Sequence, residues 1–175
     1  MNQRIAAWVV AGALVLTPVV FAGSPKEKNA PDPQTVAAKT EELLVPILPI
    51  TLSEIFARAA ADAKITTGGK LKAKYVIHTV GPVYRDGAHG EPVKLASAYR
   101  RSLEVAGENG VTSIAFPSIS TGAYRYPITD AARVALRTVV ETLPAHPRIR
   151  LVRFVLFSAA DLQTYEHALA ELARR

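Results

Sequence analysis

The sequence predicts an α/β protein in which a largely parallel sheet is covered by helices. Three observations carry this reading. β-prone runs at 75–80, 111–116 and 151–157 alternate with segments whose apolar residues recur at helical spacing. Each connection is long enough to hold a helix, as a parallel pair of strands requires. Glycine or proline punctuates the boundaries, at Gly81-Pro82, Gly110, Pro117 and Pro144. With 175 residues, 49% of them hydrophobic, the chain is sized for one domain with its own core.

From the N-terminus, Arg4 precedes an uncharged stretch from Ile5 to Pro25 with an apolar centre from Trp8 to Val20. Residues 1–22 therefore read as a secretory leader. The pattern also fits an uncleaved single-span anchor, although Gly12 and Thr17-Pro18 weaken a full crossing, or upstream sequence translated from a mis-assigned start. A real leader or anchor implies a secreted or membrane-attached protein, and otherwise a cytoplasmic one. Residues 23–50 read as a linker, broken by Pro25, Pro31, Pro33, Pro46 and Pro49. The domain itself is expected over 51–175. It opens on a short helix that Ser53 can cap, with Ile55, Phe56 and Ala59 on one face.

The regular pattern then begins. The run 75–80 is almost continuously apolar, as a buried parallel strand would be. Pro92 stands near the start of a helix carrying Leu95, Tyr99, Leu103 and Ala106 on one face, with Gly110 as its C-terminal cap. A strand over 111–116 ends at Pro117. Thr129 starts a second helix, with Ala132, Ala135, Val139 and Leu143 on one face and Pro144 as its stop. A strand over 151–157 and a helix over 161–173 complete the order.

Composition excludes several chemistries. Without cysteine there is no disulfide, thiolate nucleophile or Cys-based zinc site. The net charge of +6 suits an acidic ligand, but the basic residues are scattered and no nucleic-acid-binding pattern appears, so nucleic acid is not an expected partner. No two histidines have metal-ligand spacing, and no metal is expected. His78 reads as a packed strand residue, and His89, beside Asp86 and Glu91, as part of a solvated loop. Ser118, Ser120, His78 and Asp130 could be written as a hydrolase triad, but there is no G-x-S-x-G, and Pro117 before Ser118 makes no nucleophile elbow. Glu104 and Glu108 read as a solvent-facing pair on a helix surface.

In open parallel sheets ligands bind beyond the carboxyl ends of the strands. Three such ends are expected, and residues 117–127 are the most unusual. There Pro117, Ser118, Ile119, Ser120, Thr121, Gly122, Ala123, Tyr124, Arg125, Tyr126 and Pro127 join a strand to a helix. Small residues let main-chain N–H groups approach a phosphate, the following helix N-terminus favours negative charge, and Gly122 is expected to supply a backbone geometry closed to other residues. An ordinary polar turn would have a similar composition.

Four segments together resemble the macro domain family. Ala63-Lys64-Ile65-Thr66 and then Lys72 to Pro82 resemble its middle strand, and Ala98-Tyr99-Arg100-Arg101-Ser102-Leu103 the helix that follows. Residues 113–127 are similar to its second ligand loop, and Val155-Leu156-Phe157 to its last strand. The resemblance is collinear over about two-thirds of the chain. It implies a three-layer α/β/α fold, and a monomer that binds ADP-ribose or a derivative. Ser118, Ile119, Ser120, Thr121, Gly122, Ala123, Tyr124 and Arg125 would line the ligand, the amides of Ser120 to Tyr124 holding the diphosphate. Tyr124 would lie against the distal ribose and Phe157 beside the adenine. The family's earlier part, with an Asn-Ala-Ala-Asn-like motif and a glycine-run loop, is not found. Before Asp62 there is no glycine run, and Asn29 is the only asparagine after the leader-like stretch. The domain is accordingly expected to be N-terminally truncated, with no catalytic residue assigned, no cofactor, and the membrane reached only through residues 1–22. The alternatives are an O-acetyl-ADP-ribose deacetylase or ADP-ribosyl hydrolase, and a degenerate domain that binds nothing.

Overall fold

The structure, a computed structural model, describes residues 4–9, 19–22 and 62–174. In chain order the strands are β1 (Arg4–Val9), β2 (Val19–Ala22), β3 (Ala63–Thr67), β4 (Tyr75–Thr79), β5 (Ser113–Phe116) and β6 (Leu151–Leu156). The helices are α1 (Glu91–Glu108), α2 (Ile128–Thr142) and α3 (Ala159–Ala173), with a 3-10 turn at Leu143–Ala145 where Pro144 ends α2. Of the helix expected over 51–63, residues 51–61 lie outside the described residues, and Ala63 already belongs to β3.

The six strands form one sheet in the order β1-β6-β5-β2-β4-β3. β6 runs parallel to both β1 and β5, whereas β2 is antiparallel to β4 and β5, and β3 is antiparallel to β4. β4, β5 and β6 therefore point the same way. Their carboxyl ends, and the loops at 81–90, 117–127 and 157–158, share one edge of the sheet.

β4 departs from expectation. Its neighbours are both antiparallel, although Val76, Ile77, His78 and Thr79 are all buried. A continuous apolar run encodes cover on both faces; strand direction is set by the partners that topology supplies. Strands β1 and β2 come from the stretch read as a leader, the rest of which lies outside the described residues. Pairing and cleavage are alternatives there, since residues removed with a leader cannot pair with β6.

Helix α2 packs between α1 and α3, so the three make one layer. Between this layer and the sheet lies the core. Leu95, Tyr99, Leu103 and Ala106 of α1 are wholly buried, as are Ala132, Ala135 and Val139 of α2. Pro92 sits in the first turn of α1, where a missing N–H costs no hydrogen bond, and Gly110 ends the helix with φ 67. Four rings tie the layers together. Tyr99 meets Phe116 at 5.1 Å, Phe116 meets Phe154 at 6.0 Å, and Phe154 meets Tyr165 of α3 at 5.1 Å. The second helical layer of the expected α/β/α arrangement falls outside the described residues. Among them, no helix is long and apolar enough to cross a membrane.

Candidate functional site

The loop 117–127 is anchored at both ends and open in the middle. At its start, Tyr99 Oη donates to the carbonyl of Pro117 (3.2 Å) and accepts the amide of Ile119 (3.0 Å). Ser118 Oγ meets the hydroxyl of Tyr165 at 2.7 Å. Burial raises both phenols, Tyr99 well above its ordinary range and Tyr165 to about 12, so each remains a protonated donor. At its end, the amide of Tyr126 donates to Ser120 O (2.9 Å) and that of Arg125 to Gly122 O (2.9 Å). Tyr84, in the loop after β4, donates its amide to Tyr124 O at 2.9 Å and lays its ring 4.7 Å from that of Tyr126. The loops after β4 and β5 are thereby one surface.

Between these anchors, the amides of Ser120, Gly122, Ala123 and Tyr124 find no acceptor among the described residues. Gly122 and Ala123 are exposed, and Thr121 and Tyr124 half-buried. Ser120 Oγ is the one buried side-chain oxygen without a partner among the described residues. A short run of N–H groups without an acceptor among the described residues, containing one left-handed residue, is an arrangement that can bind an anion. Helix α2 adds its N-terminus, where Pro127 occupies the cap and no side chain satisfies the first amides.

The left-handed positions are Ser120 (φ 68) and Arg125 (φ 55), not Gly122, whose φ lies outside that region. The expectation for Gly122 is thus corrected. The fold sets no spatial requirement there either: a Cβ placed at Gly122 meets no described atom within 4 Å. Small hydroxyl and charged residues can adopt positive φ at a modest cost, which the sequence alone does not reveal. Arg125 is exposed, and a side chain in this conformation is strained. Arg125→Gly is therefore expected to stabilise the fold by about 1 kcal/mol, raising the melting temperature by ~3 °C in a thermal scan.

Ser118 and Ile119 serve as foundations, because Ile119 is fully buried and both spend their polar groups on Tyr165 and Tyr99. Phe157, directly beyond β6, is 65% exposed and so stands outside the core. Tyr99, Tyr165 and Gly81 were not legible as parts of this site. The available signal was that a tyrosine on a core-facing helix position must find a partner for its hydroxyl.

Beside this surface, Asp86, His89 and Glu91 place ligand atoms within 4.8 Å of one another. Both Glu91 oxygens and Asp86 Oδ1 already accept hydrogen bonds. Glu91 accepts the amides of Arg85 (3.2 Å) and His89 (2.7 Å), while Asp86 accepts those of Ala88 and the ring of His89, each at 2.9 Å. Burial pushes the Glu91 carboxyl up, but the N–H groups of Glu91 itself, Arg85, His89 and Asp86 hold it below its ordinary range. The cluster clasps the loop to the start of α1. His78 is a packed residue, bonded through Nε2 to Thr66 Oγ1 at 3.0 Å, and burial lowers its pKa.

The Macro domain family model matches residues 54–135. A macro domain-containing protein of Caldanaerobacter subterraneus subsp. tengcongensis is 56% identical over 110 residues, covering 63% of this chain and 62% of the relative. An O-acetyl-ADP-ribose deacetylase of Cronobacter sakazakii is 47% identical over 109 residues, covering 62% of this chain and 61% of that enzyme. The chain thus spans less than two-thirds of the length of these curated relatives. Among solved structures, a mutant Oceanobacillus iheyensis macrodomain with ADPR superposes at TM-score 0.65 and 28% identity, covering 99% of this chain and 89% of that one.

Proposed function

Since the chain belongs to the macro domain family, we propose that it binds ADP-ribose, or a derivative with the same diphosphate, through residues 120–124. The observation that carries this is the row of amides without an acceptor among the described residues, beside a Gly122 whose Cβ would meet no described atom within 4 Å. A diphosphate offers several acceptor oxygens and a charge that complements both the amide row and the N-terminus of α2. Tyr124, half-buried at the end of the row, is the residue we assign to the ribose. Phe157 offers an exposed ring for the adenine. The O. iheyensis macrodomain solved with ADPR supports the choice of ligand.

Binding without turnover is the reading we favour. Glu91 is the one buried carboxylate among the described residues, and both its oxygens already accept amides. An acid or base for hydrolysis needs a free oxygen within reach of the reacting bond. A second reading, hydrolysis of O-acetyl-ADP-ribose, is favoured by the name of the Cronobacter relative. Calorimetric titration of the purified chain with ADP-ribose decides the first: saturable heat is expected, and none at millimolar ligand would overturn it. Product formation from O-acetyl-ADP-ribose would establish the second.

A further inference from the structure

We propose that Tyr99 is a positioning residue for the diphosphate-binding turn, acting through its phenol oxygen without touching the ligand; this rests on the function proposed above for residues 120–124. Tyr99 lies mid-way along α1, wholly buried, with its ring 5.1 Å from Phe116 and 6.2 Å from Phe154. For packing alone a phenylalanine would serve there. The hydroxyl brings a polar atom into a dry core, which costs free energy unless it is bonded. It is bonded on both sides of one short stretch, donating to Pro117 O and accepting from Ile119 N.

That pair of bonds fixes the two peptide groups immediately before the row of open amides. Ser120 follows at φ 68, and Tyr126 N closes the far side by donating to Ser120 O. The distal anchor is main chain, and any sequence could supply it. The proximal anchor is a side chain from another element, eighteen residues earlier. Removing its oxygen leaves the Ile119 N–H and the Pro117 C=O buried without their partner. The peptide planes then turn toward other acceptors, and the turn that carries the amides of 120–124 loses its fixed start. A ligand must re-order the turn when it binds, which lowers apparent affinity by the fraction of time the turn is correctly set.

The test is Tyr99→Phe in the full chain, titrated with ADP-ribose well below the melting temperature of both proteins. ADP-ribose affinity is expected to fall about tenfold. Amide hydrogen exchange across 118–124 in the free variant should quicken. A purely structural role would lower the melting temperature yet move neither readout at that temperature. Unchanged affinity, or unchanged exchange, overturns the positioning role. Ser102→Ala is the control, because it removes a buried hydroxyl of the same helix that is bonded to Ala98 O rather than to the turn. An equal loss there would mean general loosening of the core, and would also overturn the proposal. Should Tyr99→Phe fail to fold, the wild-type protein still decides: Ile119 must be the slowest-exchanging amide of the turn. If wild type shows no ADP-ribose heat, the functional reading fails while the Ile119 measurement still judges the anchor.

Discussion

Gly122→Val is expected to raise the dissociation constant for ADP-ribose at least ~100-fold while leaving the melting temperature within ~2 °C of wild type. The two halves of this expectation come from the same geometry. The φ of Gly122 lies outside the left-handed region, and a Cβ built there meets no atom within 4 Å. The folded protein therefore accepts a side chain without strain, and a branched residue reduces the freedom of the unfolded chain, which is mildly stabilising. In the function proposed above, the diphosphate occupies that same open space beside the amides of Gly122 and Ala123. A valine fills it with two methyl groups that accept no hydrogen bond and hold the phosphate away. Calorimetry and a thermal scan on the same preparation check both halves. Undiminished affinity would remove residues 120–124 from the site, whereas a large drop in melting temperature would show that Gly122 serves the fold after all.

The contrast between Gly122 and its neighbours marks where sequence reading stops. Periodicity and punctuation gave the helices closely, because each rests on a local pattern: α1 begins at Glu91-Pro92 and ends before Gly110, and α2 ends at Thr142, two residues before Pro144. Strand direction was less legible. β4 reads as a parallel strand because burial on both faces and parallel pairing usually go together, yet its partners are antiparallel. Within the binding turn, glycine suggested the strained position, but Ser120 and Arg125 hold the positive φ values. Strain there is imposed by long-range anchors, Tyr99 from α1 and Tyr84 from the loop after β4, which no local motif encodes. The role of Gly81 was hidden for the same reason. Its neighbours Ile119 and Ser120 are nearly forty positions away in sequence.

Those neighbours make Gly81→Val the most disruptive single change near the site. A Cβ at Gly81 would lie 2.2 Å from Ser120 Oγ and 2.5 Å from Ile119 Cγ2, closer than atoms can approach. Its φ is also outside the left-handed region, so the requirement is for space alone. Ile119 is fully buried and cannot swing aside into solvent, so the turn after β5 must lift or β4 must shift. Overpacking of this kind costs about 3 kcal/mol, and urea unfolding should show the midpoint reduced accordingly. ADP-ribose affinity should fall as well, because Ser120 begins the amide row. Loss of stability together with binding separates this variant from Gly122→Val, where binding alone is lost. The mechanism can be isolated with Ser120→Gly. That change removes the atom closest to the new side chain, sacrifices no hydrogen bond among the described residues, and suits the φ of 68. Introduced into the Gly81→Val protein, it should return about 1 kcal/mol beyond its own effect in wild type. Simple additivity of the two changes would place the valine clash somewhere other than Ser120.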